Sequence, residues 1–157
     1  MSRRSTVLRS SPVLPLALLL TACPDTTECT LIGCLSGVTV DFAEPLQAQG
    51  AYTFSVDLDG DVVTCVATLP LTEEAGDGCD DERVMLWESG SALAESEHEL
   101  PGMDINGEAV EAVVISVALD GVALGSASFS PEYSRVAPNG EECGPVCDVA
   151  GVTVDFE

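Results

Sequence analysis

From residue 52 to residue 69 the chain alternates apolar and polar side chains, and this period of two constrains the fold more than any other feature. Tyr52, Phe54, Val56 and Leu58 are separated by Thr53, Ser55 and Asp57. A helix would scatter those apolar residues around its circumference, whereas a strand gathers them on one face. Asp59-Gly60 follows, a pair suited to the positive φ angles of a two-residue type I′ turn. Beyond it Val63, Cys65, Ala67 and Leu69 again share a face. The design recurs: Val113, Ile115, Val117 and Leu119 alternate, Asp120-Gly121 turns the chain, and residues 122–129 return. Two such hairpins, with no long segment of helical period, define an all-β chain.

The hexapeptide Gly37-Val38-Thr39-Val40-Asp41-Phe42 recurs as Gly151-Val152-Thr153-Val154-Asp155-Phe156. In each copy Val, Val and Phe face one way, Thr and Asp the other. The intervening segments do not match, so these are two similar strands rather than two repeated units. Residues 83–88 and 91–95, on either side of Ser89-Gly90, are expected as short strands. Residues 70–82 form an acidic loop, and residues 130–146 a long one with Pro131, Pro138, Asn139-Gly140 and Pro145. The count is seven or eight strands at sandwich-like spacing. The pattern resembles an immunoglobulin-like β-sandwich, in which the first and last strands would pair in parallel. The likeness is architectural, because the buried Trp–disulfide pair of antibody domains is missing; Trp87 is the candidate core tryptophan.

The amino terminus carries an address. Arg3, Arg4 and Arg9 precede a short apolar run from Val13 to Leu20, interrupted by Pro15 and followed by small residues. That order is the pattern of a secretory signal peptide, and the run is shorter than the ~20 residues a bilayer span needs. Leu20-Thr21-Ala22-Cys23 resembles the lipobox of bacterial lipoproteins. The resemblance covers the first 23 residues. It implies a diacylglycerol on the Cys23 sulfur, cleavage before Cys23 and acylation of the new amino terminus. Several acyl chains hold a protein durably where one holds it marginally. Ser2-Arg3-Arg4 also resembles the start of a twin-arginine export signal, but Thr6 and Val7 stand where that family has Phe and Leu.

The organisation so implied is a signal peptide over 1–22, a lipidated tether over 23–36 and a β-sandwich domain over 37–157. The mature part resembles small bacterial lipoproteins with immunoglobulin-like domains. The resemblance places it on the cell envelope, at the outer membrane in preference to the inner.

In an exported chain the six cysteines besides Cys23 are expected as three disulfides. These are Cys29, Cys34, Cys65, Cys79, Cys143 and Cys147. Neither Cys29-x₄-Cys34 nor Cys143-x₃-Cys147 has the spacing of a usual zinc pair. Parallel pairing of the first and last strands would favour Cys29–Cys143 and Cys34–Cys147, with Cys65–Cys79 in the middle. Three local bridges, Cys29–Cys34, Cys65–Cys79 and Cys143–Cys147, are the alternative.

Charge narrows the function. The formal net charge is −22, and loss of the three leader arginines makes the mature part more negative still. Lysine is absent, and only Arg83 and Arg135 oppose 27 acids in the mature part. Such a surface repels phosphate backbones, which argues against nucleic-acid binding, and disfavours anionic headgroups.

Little points to catalysis. The single histidine, His98, lies between Glu97 and Glu99 in a polar stretch and is expected on the surface. There is no Gly-x-Ser-x-Gly elbow and no lysine for Schiff-base chemistry. With so many acids, nearby carboxylates single out no glycosidase dyad. Asp57, Asp59 and Asp61 around the first hairpin tip are candidate calcium ligands, as are Asp77, Asp80 and Asp81, although neither set has the spacing of an EF-hand. With two Tyr, one Trp and four Phe, few aromatics remain for a sugar platform once a core is built.

The expectation is a non-enzymatic, lipid-anchored envelope protein without a cofactor, an interaction or structural module that meets another envelope protein. Loop 130–146 is the expected contact surface. Calcium or small-ligand binding is the alternative.

Overall fold

A computed structural model describes residues 29–72 and 78–157. Ten strands follow in order: β1 Gly37–Leu46, β2 Gly50–Leu58, β3 Asp61–Leu69, β4 Gly78–Cys79, β5 Val84–Ser89, β6 Glu99–Asn106, β7 Val113–Leu119, β8 Val122–Phe129, β9 Ser134–Val136 and β10 Cys147–Val154. Eight have six residues or more, and β4 and β9 are short pieces. They form two five-stranded sheets, β5-β6-β1-β10-β9 and β4-β3-β2-β7-β8. The inner faces of the two sheets supply one core, a β-sandwich.

The alternation read from the sequence sorts the side chains. Tyr52, Phe54 and Val56 of β2 and Ile115 and Val117 of β7 are buried from the second sheet; Val38, Val40 and Phe42 of β1 and Met103 and Ile105 of β6 meet them from the first. Phe42 stacks on Phe54 across the core and meets Phe156 edge-on, with centroids 6.0 and 5.0 Å apart. Each large aliphatic side chain so buried contributes about 1.5–3 kcal/mol. Both Asp-Gly pairs turn with positive φ at both residues, 55° and 100° at Asp59 and Gly60, 51° and 77° at Asp120 and Gly121. Those angles suit the twist of the flanking strands.

The repeated hexapeptides lie side by side in parallel. They are offset by two residues, with Val38 opposite Ala150 and Val40 opposite Val152. An even offset keeps every side chain on its proper face, which an odd one would not. The parallel seam is joined covalently at its start by Cys29–Cys143 and Cys34–Cys147, while Cys65–Cys79 links β3 to β4. This is the crossed arrangement.

Two local expectations change. Residues 91–95 are not a strand: Leu93 N–H bonds the Gly90 carbonyl, and a 3₁₀ turn over Glu95–Glu97 leads into β6. The strand that returns beside β5 is β6, where Pro101 and Gly102 interrupt the alternation. Trp87 is not a core residue. It sits half-buried on β5, facing away from the sandwich interior.

Candidate functional site

The stapled end holds the first described residues, which begin at Cys29. Cys23 and the leader lie outside the described residues, and so does Asp77. From Cys29 onward the tether segment is fastened to residues 137–147. The Asn139 side chain accepts from the Thr30 hydroxyl and the Ile32 N–H, and donates to the carbonyls of Ile32 and Gly144. Loop 130–146 is therefore one half of a double-bridged end and contains β9. Leu31, Ile32 and Leu35 project outward here, with Leu31 fully exposed. Among the described residues no helix is long and apolar enough to cross a membrane.

The hairpin carboxylates point in separate directions. Asp57 Oδ1 accepts the Gly60 N–H at 2.6 Å and closes the turn. Asp59 accepts the N–H groups of Glu111 and Ala112 at 2.9 and 2.8 Å, tying the tip to the start of β7. Asp61 lies 3.9 Å from Arg83. In the second set Asp80 accepts the Thr64 N–H, and Asp81 takes Arg83 as a charged partner at 2.9 Å. Hydrogen bonds from Arg83 hold the Asp81 carboxyl below the usual aspartate range. No group of three or more His, Cys, Asp or Glu side chains is placed to hold a metal among the described residues.

His98 corrects the sequence reading: it is buried, at 5% exposure. Its Nδ1 accepts the Leu71 N–H at 2.9 Å, and Nε2 has no hydrogen-bond partner among the described residues. The imidazole connects the segment leaving β3 to the start of β6, one sheet to the other. Glu97 and Glu99 made it look solvated, but Glu97 is exposed and Glu99 half-buried while the ring between them in sequence is buried. It serves as a structural acceptor rather than as an exposed base.

The outer faces of the two sheets differ. On the second sheet, Thr64, Ser55, Ser116 and Ser126 stand directly opposite one another across four strands, a continuous row of hydroxyls. Val66, Thr53 and Ala118 form the next row. Among the described residues the one acid facing out within these strands is Asp57, folded back into its turn. A shallow depression of about 450 Å³ includes Thr53, Ser55, Ser116, Ala118, Ser126 and Glu157 in its lining. Glu157 bonds Ser126 through the backbone and so lies along the β8 edge. Ser and Thr at alternate positions were visible in the sequence, but only the register joins them into a row.

On the first sheet the outward face carries Trp87, Asp104 and Thr39. Asp104 accepts from Trp87 Nε1 at 2.9 Å and from the Thr39 hydroxyl at 3.0 Å. The indole lies over Gly102, where an added β-carbon would stand 3.1 Å from the ring. Compared with protein-family models, curated proteins and solved structures, the chain matches none of them.

Proposed function

We propose that this chain is a non-enzymatic envelope protein, lipid-anchored through Cys23, that acts as an interaction or structural module. The observation that carries the reading is the outer face of the second sheet, where Asp57 is the one outward acid within the described strands, in a chain of net charge −22. A surface crowded with acids repels most macromolecular partners at short range. Rows of Ser, Thr, Val and Ala are where an envelope protein meets it without burying an unpaired carboxylate. Two further features support the anchored state. The bridged end begins six residues after Cys23, and its exposed leucines suit a position near lipid. Commitment of His98, Asp57 and Asp59 to backbone donors favours a binding role over catalysis or calcium binding.

The test has two parts, on protein expressed with its leader in a bacterial host. Mass spectrometry of the mature amino terminus should find acylated Cys23; an unmodified cysteine ends the lipoprotein reading. A photo-crosslinking residue at Ser116 should then capture a reproducible envelope protein that the same residue at Thr153 does not. Equal capture from both faces, or none, would remove the second sheet as the contact surface.

A further inference from the structure

Of the seven aromatic side chains in the sequence, six lie in the core or pack against it: Phe42, Tyr52, Phe54, Phe129, Tyr133 and Phe156. Trp87 alone is turned outward. Its position is fixed twice, by the indole N–H on Asp104 and by the ring resting on Gly102. Locking the ring lowers the entropy lost when something stacks on it. The line continues across the sheet from Trp87 through Asp104 to Thr39. Beyond it opens a groove of about 440 Å³ whose lining includes Asp104, Asn106, Gly37, Thr39, Val149 and the exposed Leu35. Three adjacent strands span about 10 Å at the usual spacing, enough for linked rings rather than a single small solute.

The chemistry of this strip selects its ligand. The Asp104 carboxylate can only accept hydrogen bonds, and each oxygen keeps a lone pair beyond the one used internally. Asn106 and Thr39 add mixed donors and acceptors. An aromatic face and an aliphatic lining favour a ligand with apolar C–H surfaces, as in most small-molecule sites. The net charge of −22 repels phosphates and uronates. A cage for a quaternary ammonium ion needs several aromatic faces, and here there is one. We propose that the outer face of the first sheet binds a neutral saccharide, one pyranose stacked on Trp87 and its neighbour in the groove beside Asp104. This site is independent of the protein contact proposed for the opposite face.

Because Trp87 is the only tryptophan, its fluorescence reports on the site directly. The purified full-length protein would be titrated with neutral trisaccharides of glucose, galactose and N-acetylglucosamine, with a glucuronate trisaccharide and choline as charged probes. At least one neutral probe should shift the emission saturably, with a Kd of about millimolar order. Asp104→Asn, checked for folding by circular dichroism, should weaken that probe about tenfold through loss of charged hydrogen bonds. Ser116→Ala on the opposite face should leave it unchanged. Amide chemical shifts in Trp87→Phe provide a readout without tryptophan and should still map the probe to β1, β5 and β6. The proposal is overturned by no saturable response to any neutral probe, by equal binding of the charged probes, by unaltered binding in Asp104→Asn, or by shifts confined to the second sheet.

Discussion

In the second sheet β2 meets β3, and β7 meets β8, across two-residue turns; in the first, β1 lies between β6 and β10, drawn from the middle and the end of the chain. Hairpins close small loops at little entropic cost, whereas the β1–β10 pair closes a loop of more than a hundred residues. The two long-range bridges fall on that pair, at sequence separations of 114 and 113, and the second sheet carries a short one at 14. The outer faces diverge in the same way. One is a regular array of small hydroxylated and aliphatic residues. The other gathers an indole, a carboxylate and a groove on β5, β6 and β1. Each face is completed by one remote pairing, β2 with β7 or β1 with β6, but only in the first sheet does it bring unlike chemistry together.

The sharpest way to break this comparison is to remove the staples. Cys29–Cys143 and Cys34–Cys147 close nearly the same loop, so either alone still confines the unfolded chain. Replacing one pair by alanine should cost about 3 kcal/mol and replacing both about 7 kcal/mol. Urea denaturation of the oxidised variants measures this, and equal costs for one and both would exclude a chain-entropy origin. The Cys65–Cys79 pair, closing a short loop, should cost about 3 kcal/mol whatever the state of the others.

Next in size is crowding on the first sheet. A β-carbon at Gly102 would stand 2.3 Å from the Val40 carbonyl oxygen, while nothing lies near one at Gly151. Gly102→Ala should destabilise by about 2 kcal/mol and Gly151→Ala by less than about 0.5 kcal/mol, read from the same denaturation curves. A charge placed on the second sheet tests function rather than folding. Ser55→Asp should leave stability within about 0.5 kcal/mol and reduce partner capture about tenfold. Thr153→Asp on the first sheet should reduce it little.

The smallest effect is electrostatic. Arg83 keeps the Asp81 carboxyl below its ordinary value, so the pair favours the folded state above the unfolded pKa, near pH 4. That contribution fades as pH falls through the lower folded value. The melting temperatures of the parent and Arg83→Gln should differ slightly at neutral pH and converge in acid.

Much of the architecture was readable because it rests on local periodicity. The strands of the two hairpins announce themselves by alternation, and the hexapeptides identify β1 and β10. β6 was hidden by Pro101 and Gly102, residues that usually argue against an interior strand. Its pairing with β1 and with β5 is irregular near Pro101, which lacks an amide to donate. Gly102 has its own reason, since no side chain fits beneath Trp87. His98 was misplaced because its neighbours in sequence are acids while its partner, Leu71, is 27 residues away. Neither outer face was legible as a site, for both depend on which strands the register sets side by side.

The crossed bridges also decide what a protease can release. A single cut anywhere from residue 35 to residue 142 leaves one fragment with Cys29 and Cys34 and the other with Cys143 and Cys147. Two covalent links still join them. A nicked molecule therefore stays whole, and if Cys23 carries lipid, both pieces remain on the membrane.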